Sequence, residues 1–212
     1  MQATCSRTSE PSLRKRENSL FFKRWLKNPS QMGTLAPITP RLATLAAAAI
    51  KDPSGLIVEI GAGTGRLSRA LLERGVKPEN LALVELDADL CVFLQETLPE
   101  LPMCRSSTPK VIHGDAATLA EIIPPSFVGK VTTVVSAVPF MYIPEEVRAK
   151  IIKSCFDIMI PKGEVIHVTY NPKSPIKFMD NTIHQERTES LWLNLPPGFV
   201  WQYTQKEETS KR

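Results

Sequence analysis

The sequence has few of the residues that build metal knuckles and disulfide frameworks: among 212 residues there are four cysteines and three histidines. Cys5, Cys91, Cys104 and Cys155 lie far apart, with no C-x-x-C pair among them. This spacing predicts neither a zinc knuckle nor a disulfide scaffold, and we expect reduced thiols. The histidines form no ligand set either, so we expect no metal site.

Long apolar runs are also absent. The longest, LATLAAAAI at 42–50, is about half as long as a segment that spans a bilayer. No apolar stretch follows a basic start, as it would in a signal peptide. We therefore expect a cytoplasmic protein that neither crosses a membrane nor is exported.

The net charge of +4 is unevenly distributed. Residues 1–30 hold seven lysines and arginines against Glu10 and Glu17, a local charge of +5. The rest of the chain has 19 basic and 20 acidic residues and is close to neutral. A polyanionic partner would therefore meet the N-terminal segment.

Within that segment, residues 18–29 read NSLFFKRWLKNP. Drawn as a helix, the apolar side chains fall on one arc of about 140° and the basic side chains on the other side. The apolar set is Phe21, Phe22, Trp25 and Leu26, and the basic set is Arg16, Lys23, Arg24 and Lys27. The pattern is typical of an interfacial helix on an anionic membrane. The alternative is a helix that packs Phe21 and Trp25 onto the core, with its basic face in solvent.

From residue 54 onward, strand-like apolar runs alternate with helical patterns, which is typical of βαβ units around a parallel sheet. The patterns predict strands at 56–60, 81–86, 111–114, 131–137 and 164–170 and helices at 66–74, 88–97 and 145–159. Two later segments, 187–195 and 199–204, are expected to pair antiparallel at the sheet edge. We expect a flexible basic tail at 1–12, an amphipathic membrane-binding helix and linker at 13–40, and one α/β domain at 41–205.

A glycine-rich turn, VEIGAGTG at 58–65, follows the first strand and opens a helix, where an α/β sheet places a nucleotide-like ligand. The glycines are Gly61, Gly63 and Gly65, and Arg66 stands where a dinucleotide fingerprint needs its third glycine. Glu59 would repel a pyrophosphate but suits a cofactor that bears an ammonium and a sulfonium. The turn therefore predicts S-adenosylmethionine, with S-adenosylhomocysteine as the product.

Two further acids follow at the ends of later strands. Glu85 ends the second strand, where a carboxylate accepts from both ribose hydroxyls. Asp115, followed by Ala116 in HGDA, is expected to receive the adenine amino group. Three cofactor features in order at successive strand ends are stronger than a glycine turn alone. Asp87 is expected to cap a helix rather than to bind a ligand.

The loop after the fourth strand reads SAVPF, 136–140. In methyltransferases that act on a nucleic-acid base amine, this loop usually has Asn or Asp, then prolines and an aromatic residue. Here Ser136 precedes Pro139 and Phe140, so a flat base is disfavoured and nucleic acid is not the expected partner. Ser136, Pro139 and Tyr170 are the catalytic candidates that orient an amine. Phe140 and Tyr142 are candidates to contact a methylated cation through their rings.

Seven segments together resemble one known family, over about residues 20 to 203. They are FFKRWLKNPSQMGTLAP, VEIGAGTG, GVKPENLALVELD, GDA, SAVP, VTYNPKSP and NLPPGFVWQY. They are similar to the soluble bacterial phosphatidylethanolamine N-methyltransferases, a branch related to ribosomal RNA adenine dimethylases. The resemblance implies a Rossmann-like class I methyltransferase with a mostly parallel seven-stranded sheet flanked by helices and an N-terminal amphipathic helix.

The same resemblance implies transfer of methyl groups from S-adenosylmethionine to a phospholipid head-group amine, up to three times, ending at phosphatidylcholine. We expect a monomer that associates peripherally with the cytoplasmic membrane. Residues 37–40 (PITP) and the longer loop RSSTPK at 105–110 depart from the family pattern and bear on the range of products. An RNA or DNA adenine N6-methyltransferase of the same fold remains an alternative, as does a non-enzymatic membrane-binding protein.

Overall fold

One seven-stranded sheet organises residues 38–192 and 196–206, which are the parts of the chain that the computed structural model describes. The strands are β1 Leu56–Ile60, β2 Leu81–Glu85, β3 Lys110–His113, β4 Val131–Ser136, β5 Met159–Thr169, β6 Ile183–Leu191 and β7 Gly198–Gln205. Their spatial order is β3-β2-β1-β4-β5-β7-β6. Strands β1 to β5 pair in parallel, whereas β7 is antiparallel to both β5 and β6. The predicted mostly parallel seven-stranded sheet is confirmed.

Within the described residues, five α-helices connect and cover the strands. They are α1 Pro40–Ala48, α2 Arg66–Glu73, α3 Ala88–Thr97, α4 Leu119–Ile122 and α5 Glu145–Asp157. The Thr39 side chain caps α1 by accepting a hydrogen bond from the Leu42 N–H at 3.3 Å, and Asp87 caps α3, as predicted. No helix within these residues combines the length and the apolar character that a bilayer crossing requires.

The helices divide the core into two clusters, one on each face of the sheet. On one face, α1, α2 and α3 pack against alternate residues of the central strands, including Val135 and Ile166. On the other face, α4 and α5 pack against the intervening residues, including Val134 and Val165. Both faces are covered, which explains why the central parallel strands are almost continuously apolar.

Several element boundaries differ from the prediction. The helix predicted to reach residue 159 ends at Asp157, and β5 begins at Met159 rather than at residue 164. The early part of β5 was missed because it is irregular: Lys162 has a φ of 71°, and the pairing with β4 shifts register there. Strand β6 begins at Ile183 rather than at 187. Its first residues were missed because most of them are polar and lie exposed or half-buried at the edge of the sheet.

The topology gathers several chain segments at one edge of the sheet. Strands β1, β2, β4 and β5 all end there, because parallel strands share a carboxyl edge. The antiparallel β7 begins at that edge, where Phe199 pairs with Thr169 of β5. Strand β6 then runs parallel to β5, and its last residue, Leu191, pairs with Gly198 at the same edge.

The central position of β5 can be tested with one substitution at two sites. The side chain of Ile166 is fully buried, whereas that of Ile160 on the same strand is 37% exposed. Ile166→Ala should lower the free energy of unfolding by about 2–5 kcal/mol, because it leaves a cavity. Ile160→Ala should cost less than about 1 kcal/mol. Urea unfolding measures both, and equal losses would contradict the placement of β5.

Candidate active site

The glycine turn lies between β1 and α2, and it packs against the loop after β4. Gly61 has a φ of 66°, and a Cβ there would lie 2.6 Å from Cγ2 of Val138. Gly65 likewise has no room for a side chain, because Leu94 of α3 is too close. At Gly63, by contrast, the nearest atom to such a Cβ is 3.9 Å away. Two glycines thus permit close packing, whereas a side chain at the middle one would meet only an ordinary van der Waals contact.

The carboxylate of Glu85 ties the end of β2 to this turn. Its Oε2 accepts a hydrogen bond from the Gly63 N–H at 2.8 Å, and its Oε1 accepts one from the Asp87 N–H at 3.0 Å. The Gly61 N–H donates to the carbonyl of Val84 at 2.8 Å. The side chain of Glu85 is therefore fixed in place at the strand end where the sequence predicts a ribose acceptor.

Glu59 is the most deeply buried acid of the site, at 1% exposed. Its Oε2 accepts a hydrogen bond from the hydroxyl of Ser68 on α2 at 2.6 Å. Its Oε1 is buried and has no hydrogen-bond partner among the described residues. Burial, reinforced by the negative charge of Glu85, raises the pKa of Glu59 to about 8. A cationic ligand group would supply the missing partner, so the site fits the ammonium of S-adenosylmethionine.

The end of β3 is joined to the end of β2. The Gly114 N–H donates to the carbonyl of Glu85 at 3.0 Å. Asp115 is exposed, and its carboxylate accepts from the Ala117 N–H at 2.9 Å, which caps the short 3-10 helix Ala116–Thr118. Asp115 and Ala116 therefore directly follow the residue that is bonded to the Glu85 carbonyl, and their contact with adenine stays a prediction.

The loop after β4 is held by local hydrogen bonds. Ser136 is fully buried, and its hydroxyl accepts a hydrogen bond from the Val138 N–H at 3.2 Å. The Phe140 N–H donates to the Val138 carbonyl at 2.8 Å around Pro139, whose φ of −77° and ψ of 68° are those of an inverse γ-turn. Proline suits this turn, because its ring fixes φ near that value.

Phe140 and His167 support the loop from β5. Both are 1% exposed, and their rings stack with centroids 4.6 Å apart. The His167 ring hydrogen-bonds to the backbone of Ser136, and burial lowers the pKa of His167 to about 3, so it stays neutral. The sequence assigned Phe140 to the substrate, but here its ring packs inside the protein. Tyr142, two residues further, is the exposed aromatic side chain of the loop, at 68%.

Tyr170 follows β5 at the same edge but packs on the other face of the sheet. It is half-buried against the cluster formed with α1, α2 and α3, whereas Phe140 belongs to the opposite cluster. The structure thus brings Glu59, Glu85 and the glycines together beside Ser136 and Pro139. The N-terminal candidates lie outside the described residues: Phe21, Phe22, Lys23, Arg24, Trp25 and Lys27.

Sequence reasoning missed two residues of the site. Ser68, the partner of Glu59, lies one turn into α2 and could have been found by asking which polar residue of that helix faces the sheet. Leu86 is 69% exposed directly after Glu85, and its carbonyl lies 3.0 Å from Nε2 of His113. An exposed leucine between the ends of β2 and β3 offers an apolar face to a planar ligand ring.

Solved structures share this architecture. The chain is 15% identical to the magnesium protoporphyrin IX methyltransferase of Synechocystis PCC 6803 with bound S-adenosylmethionine, with a TM-score of 0.61 over 96% of this chain and 100% of that one. The glycopeptide N-methyltransferase MtfA with sinefungin is 14% identical, with a TM-score of 0.63 over 81% and 88%. The fold is that of Rossmann-like class I methyltransferases, and the predicted cofactor, S-adenosylmethionine, is confirmed.

The class is therefore that of S-adenosylmethionine-dependent methyltransferases. The family model described as ribosomal RNA adenine dimethylase matches residues 25–180, and the chain belongs to that family. The ornithine lipid N-methyltransferase of Singulisphaera acidiphila is 25% identical over 181 residues, covering 84% of this chain and 91% of that protein. A ribosomal RNA small subunit methyltransferase A of Synechococcus is 37% identical over 82 residues, covering 39% and 26%.

The described part of the chain holds no group of three or more His, Cys, Asp or Glu side chains that could bind a metal ion. Cys91, Cys104 and Cys155 are free and buried, and burial raises the pKa of each thiol. These thiols are poor nucleophiles at neutral pH, because the thiolate is the reactive form.

The raised pKa of Glu59 predicts a pH-dependent cofactor affinity. Below pH 8 the ligand-free carboxyl holds a proton, and a bound ammonium favours the ionised form, so binding should release that proton. The affinity for S-adenosylmethionine should therefore rise with pH, by up to about tenfold per unit below the pKa. Calorimetry over a pH series measures this dependence.

Glu59→Gln should remove that part of the pH dependence while keeping the side-chain shape. The exposed Glu186, changed to Gln, is the matched control and should behave like the wild type. A wild type and a Glu59→Gln variant with the same pH profile would show that Glu59 does not meet the cofactor's cation.

Proposed function

We propose that this protein is a phospholipid N-methyltransferase that transfers methyl groups from S-adenosylmethionine to phosphatidylethanolamine and to its mono- and dimethyl forms, leading to phosphatidylcholine. The observation that carries the proposal is the extent of the relationship to a lipid N-methyltransferase, which spans 84% of this chain and 91% of the relative. The ribosomal RNA relative is matched over 39% of this chain and 26% of its own length. The lipid relative therefore accounts for more of the chain, including the part that follows the cofactor site.

The loop after β4 supports an aliphatic amine as the acceptor. Ser136 stands at the end of β4, and its hydroxyl already accepts a hydrogen bond from the Val138 N–H. The segment SAVPF contains no carboxamide or carboxylate side chain that could hold the edge of a flat base. An alkyl amine has no such edge and needs only acceptors that direct its lone pair.

The chemical difficulty is the proton on the amine. An alkylammonium with a lysine-like pKa near 10.4 is neutral in only about one molecule in 10³ to 10⁴ at pH 7, a cost of roughly 4.6 kcal/mol. When bound, S-adenosylmethionine supplies a sulfonium methyl group for in-line displacement. A protonated nitrogen has no lone pair, so residues of this chain must first accept its proton or pass it to solvent water. They must then hold the neutral nitrogen in line with the methyl group.

Ser136 and Tyr170 are the residues we assign to that task. Both stand where a strand reaches the carboxyl edge, β4 for Ser136 and β5 for Tyr170. Pro139 fixes the turn that follows Ser136. His167 hydrogen-bonds to the Ser136 backbone, and because its pKa is about 3 it does not take up the proton of the ammonium at neutral pH. The exposed ring of Tyr142 is available to the methylated cation.

Ornithine lipid is a second candidate acceptor, which the ornithine lipid N-methyltransferase relative favours. Ornithine lipid and phosphatidylethanolamine both present a primary alkyl amine at a membrane surface. The same acceptors could therefore serve either lipid, and the two differ in the anion beside the amine, a carboxylate or a phosphodiester.

Labelled S-adenosylmethionine offered with phosphatidylethanolamine vesicles, ornithine lipid vesicles and unmethylated ribosomal RNA tests the acceptor. We expect label in phosphatidylethanolamine, as mono-, di- and trimethylated lipid. Label confined to ornithine lipid would identify ornithine lipid as the substrate, and label in RNA would contradict a lipid acceptor.

Tyr170→Phe should lower turnover on the unmethylated amine by about tenfold or more, because an orienting hydroxyl is lost. Its cofactor affinity should be unchanged, which is the internal control.

We also propose that residues 13–27, which lie outside the described part of the chain, bring the enzyme to anionic bilayers. The proposal is supported by the local charge of +5 and by the separation of aromatic from basic residues in 18–29. Phe21, Phe22 and Trp25 would lie at the head-group boundary, and the basic residues would meet lipid phosphates.

Changing Lys23, Arg24 and Lys27 to glutamate should weaken vesicle binding by at least about a hundredfold at low salt, since three attractions of roughly 1 kcal/mol each are reversed. The matched control reverses three exposed lysines elsewhere, Lys77, Lys130 and Lys150, and should weaken binding far less. Vesicle flotation measures both. Equal binding by the two variants would mean that the segment does not contact the membrane.

A further inference from the structure

Large apolar side chains are exposed at the carboxyl edge of the sheet, beside the candidate active site. Met141 and Tyr142, in the turn after β4, are 44% and 68% exposed. Trp192, directly after β6, is 66% exposed. Because β6 ends at the same edge as β4 and β5, these three side chains and the loop of Ser136 share one edge of the protein.

An arginine of the β6–β7 hairpin contacts the same phenylalanine ring as Trp192. The guanidinium of Arg187 lies over the rings of Phe199 and Trp201, 5.6 and 6.0 Å from their centroids. Trp192 meets Phe199 edge-on, with centroids 5.4 Å apart. Arg187 is exposed and forms no ion pair with a carboxylate among the residues that the structure describes. Its charge is held by ring faces and is available to an anion outside the protein.

This combination suits the surface of a phospholipid bilayer. Tryptophan and tyrosine rings are enriched at the depth of lipid head groups, where one end of the ring is apolar and the other is wet. A guanidinium pairs with phosphate through two parallel hydrogen bonds, and stacking on rings holds it ready for that contact. An anionic lipid phosphate would supply the charge that the described part of the protein does not.

The spacing also suits a lipid substrate. Strand β6 lies three strands from β4, which places Trp192 roughly 14 Å from the end of β4 at about 4.8 Å per strand. A bilayer that meets Trp192 on one side and Tyr142 on the other would lie across the opening beside Ser136. A head-group amine could then reach the site while its acyl chains stay in the membrane.

We infer that Met141, Tyr142, Arg187 and Trp192, the aromatic rim, form a membrane-contact surface that places the carboxyl edge of the sheet against the phospholipid bilayer. The inference rests on the proposed function, because a lipid acceptor requires the site to face the membrane. It adds a contact surface within the catalytic domain, separate in sequence from residues 13–27.

Vesicle binding by the full chain tests the rim. On phosphatidylcholine vesicles containing phosphatidylglycerol, Arg187→Glu and Trp192→Ala should each weaken binding by about fivefold or more. Lys130→Glu makes the same charge change as Arg187→Glu at an exposed position directly before β4, on the opposite edge, and should weaken binding less than about twofold. Cofactor affinity and thermal unfolding confirm that each variant is folded. Equal binding by all three variants would overturn the inference.

Tryptophan fluorescence provides a second measurement that needs no loss of binding. The difference between wild-type and Trp192→Phe emission isolates Trp192 from the other two tryptophans. Lipids brominated near the head group should quench this difference when vesicles are added. If Trp192 is shielded from acrylamide before any vesicle is present, another part of the chain or a second copy covers the rim, and the inference is wrong.

Methyl transfer measured on vesicles that also contain phosphatidylethanolamine separates the two proposals. No methylated lipid at all would contradict the proposed function, whatever the binding results. Methylation by the wild type, with unchanged binding and methylation by Arg187→Glu and Trp192→Ala, would contradict the rim alone. Reduced binding and methylation by both variants, with Lys130→Glu unaffected, would support both proposals.

Discussion

The arrangement of the site depends on the close approach of two loops, the glycine turn after β1 and the SAVPF loop after β4. They meet where Gly61 faces Val138, with too little room for even a methyl group. Because β1 and β4 are neighbours in the sheet, this contact fixes how far the cofactor turn lies from the loop that carries Ser136 and Pro139. A reaction that depends on in-line geometry requires such a fixed separation.

A second constraint is electrostatic. Glu59 and Glu85 are both nearly excluded from solvent, and their charges disfavour one another. Glu85 is stabilised by two backbone N–H groups, whereas Glu59 keeps one oxygen without a partner among the described residues. The two acids therefore differ: Glu85 holds the turn in shape, and Glu59 is the acid that we expect to meet the ammonium of the cofactor. A site that binds pyrophosphate would instead present N–H donors or positive charge to its ligand.

Local signals account for much of what the sequence predicts correctly. Apolar runs bounded by glycine and proline identify the central strands, and Asp87 acts as the helix cap expected of it. Side-chain contacts between distant segments could not be predicted. The burial of Glu164 is one example. Its carboxylate accepts hydrogen bonds from the Lys51 N–H, 113 residues away, and from the Gln202 side chain, 38 residues away. The stacking of Phe140 on His167 likewise depends on the register between β4 and β5, which no short-range pattern encodes.

The order of the elements along the chain separates two tasks. The candidate cofactor residues, from Glu59 to Asp115, precede β4, whereas the SAVPF loop, Tyr170 and the β6–β7 hairpin all follow Val131. Changes in the second half that keep the contact between Gly61 and Val138 should therefore affect the acceptor site more than the cofactor site. A recombinant that joins the first half of one relative to the second half of another, with that contact kept, should inherit its acceptor from the latter.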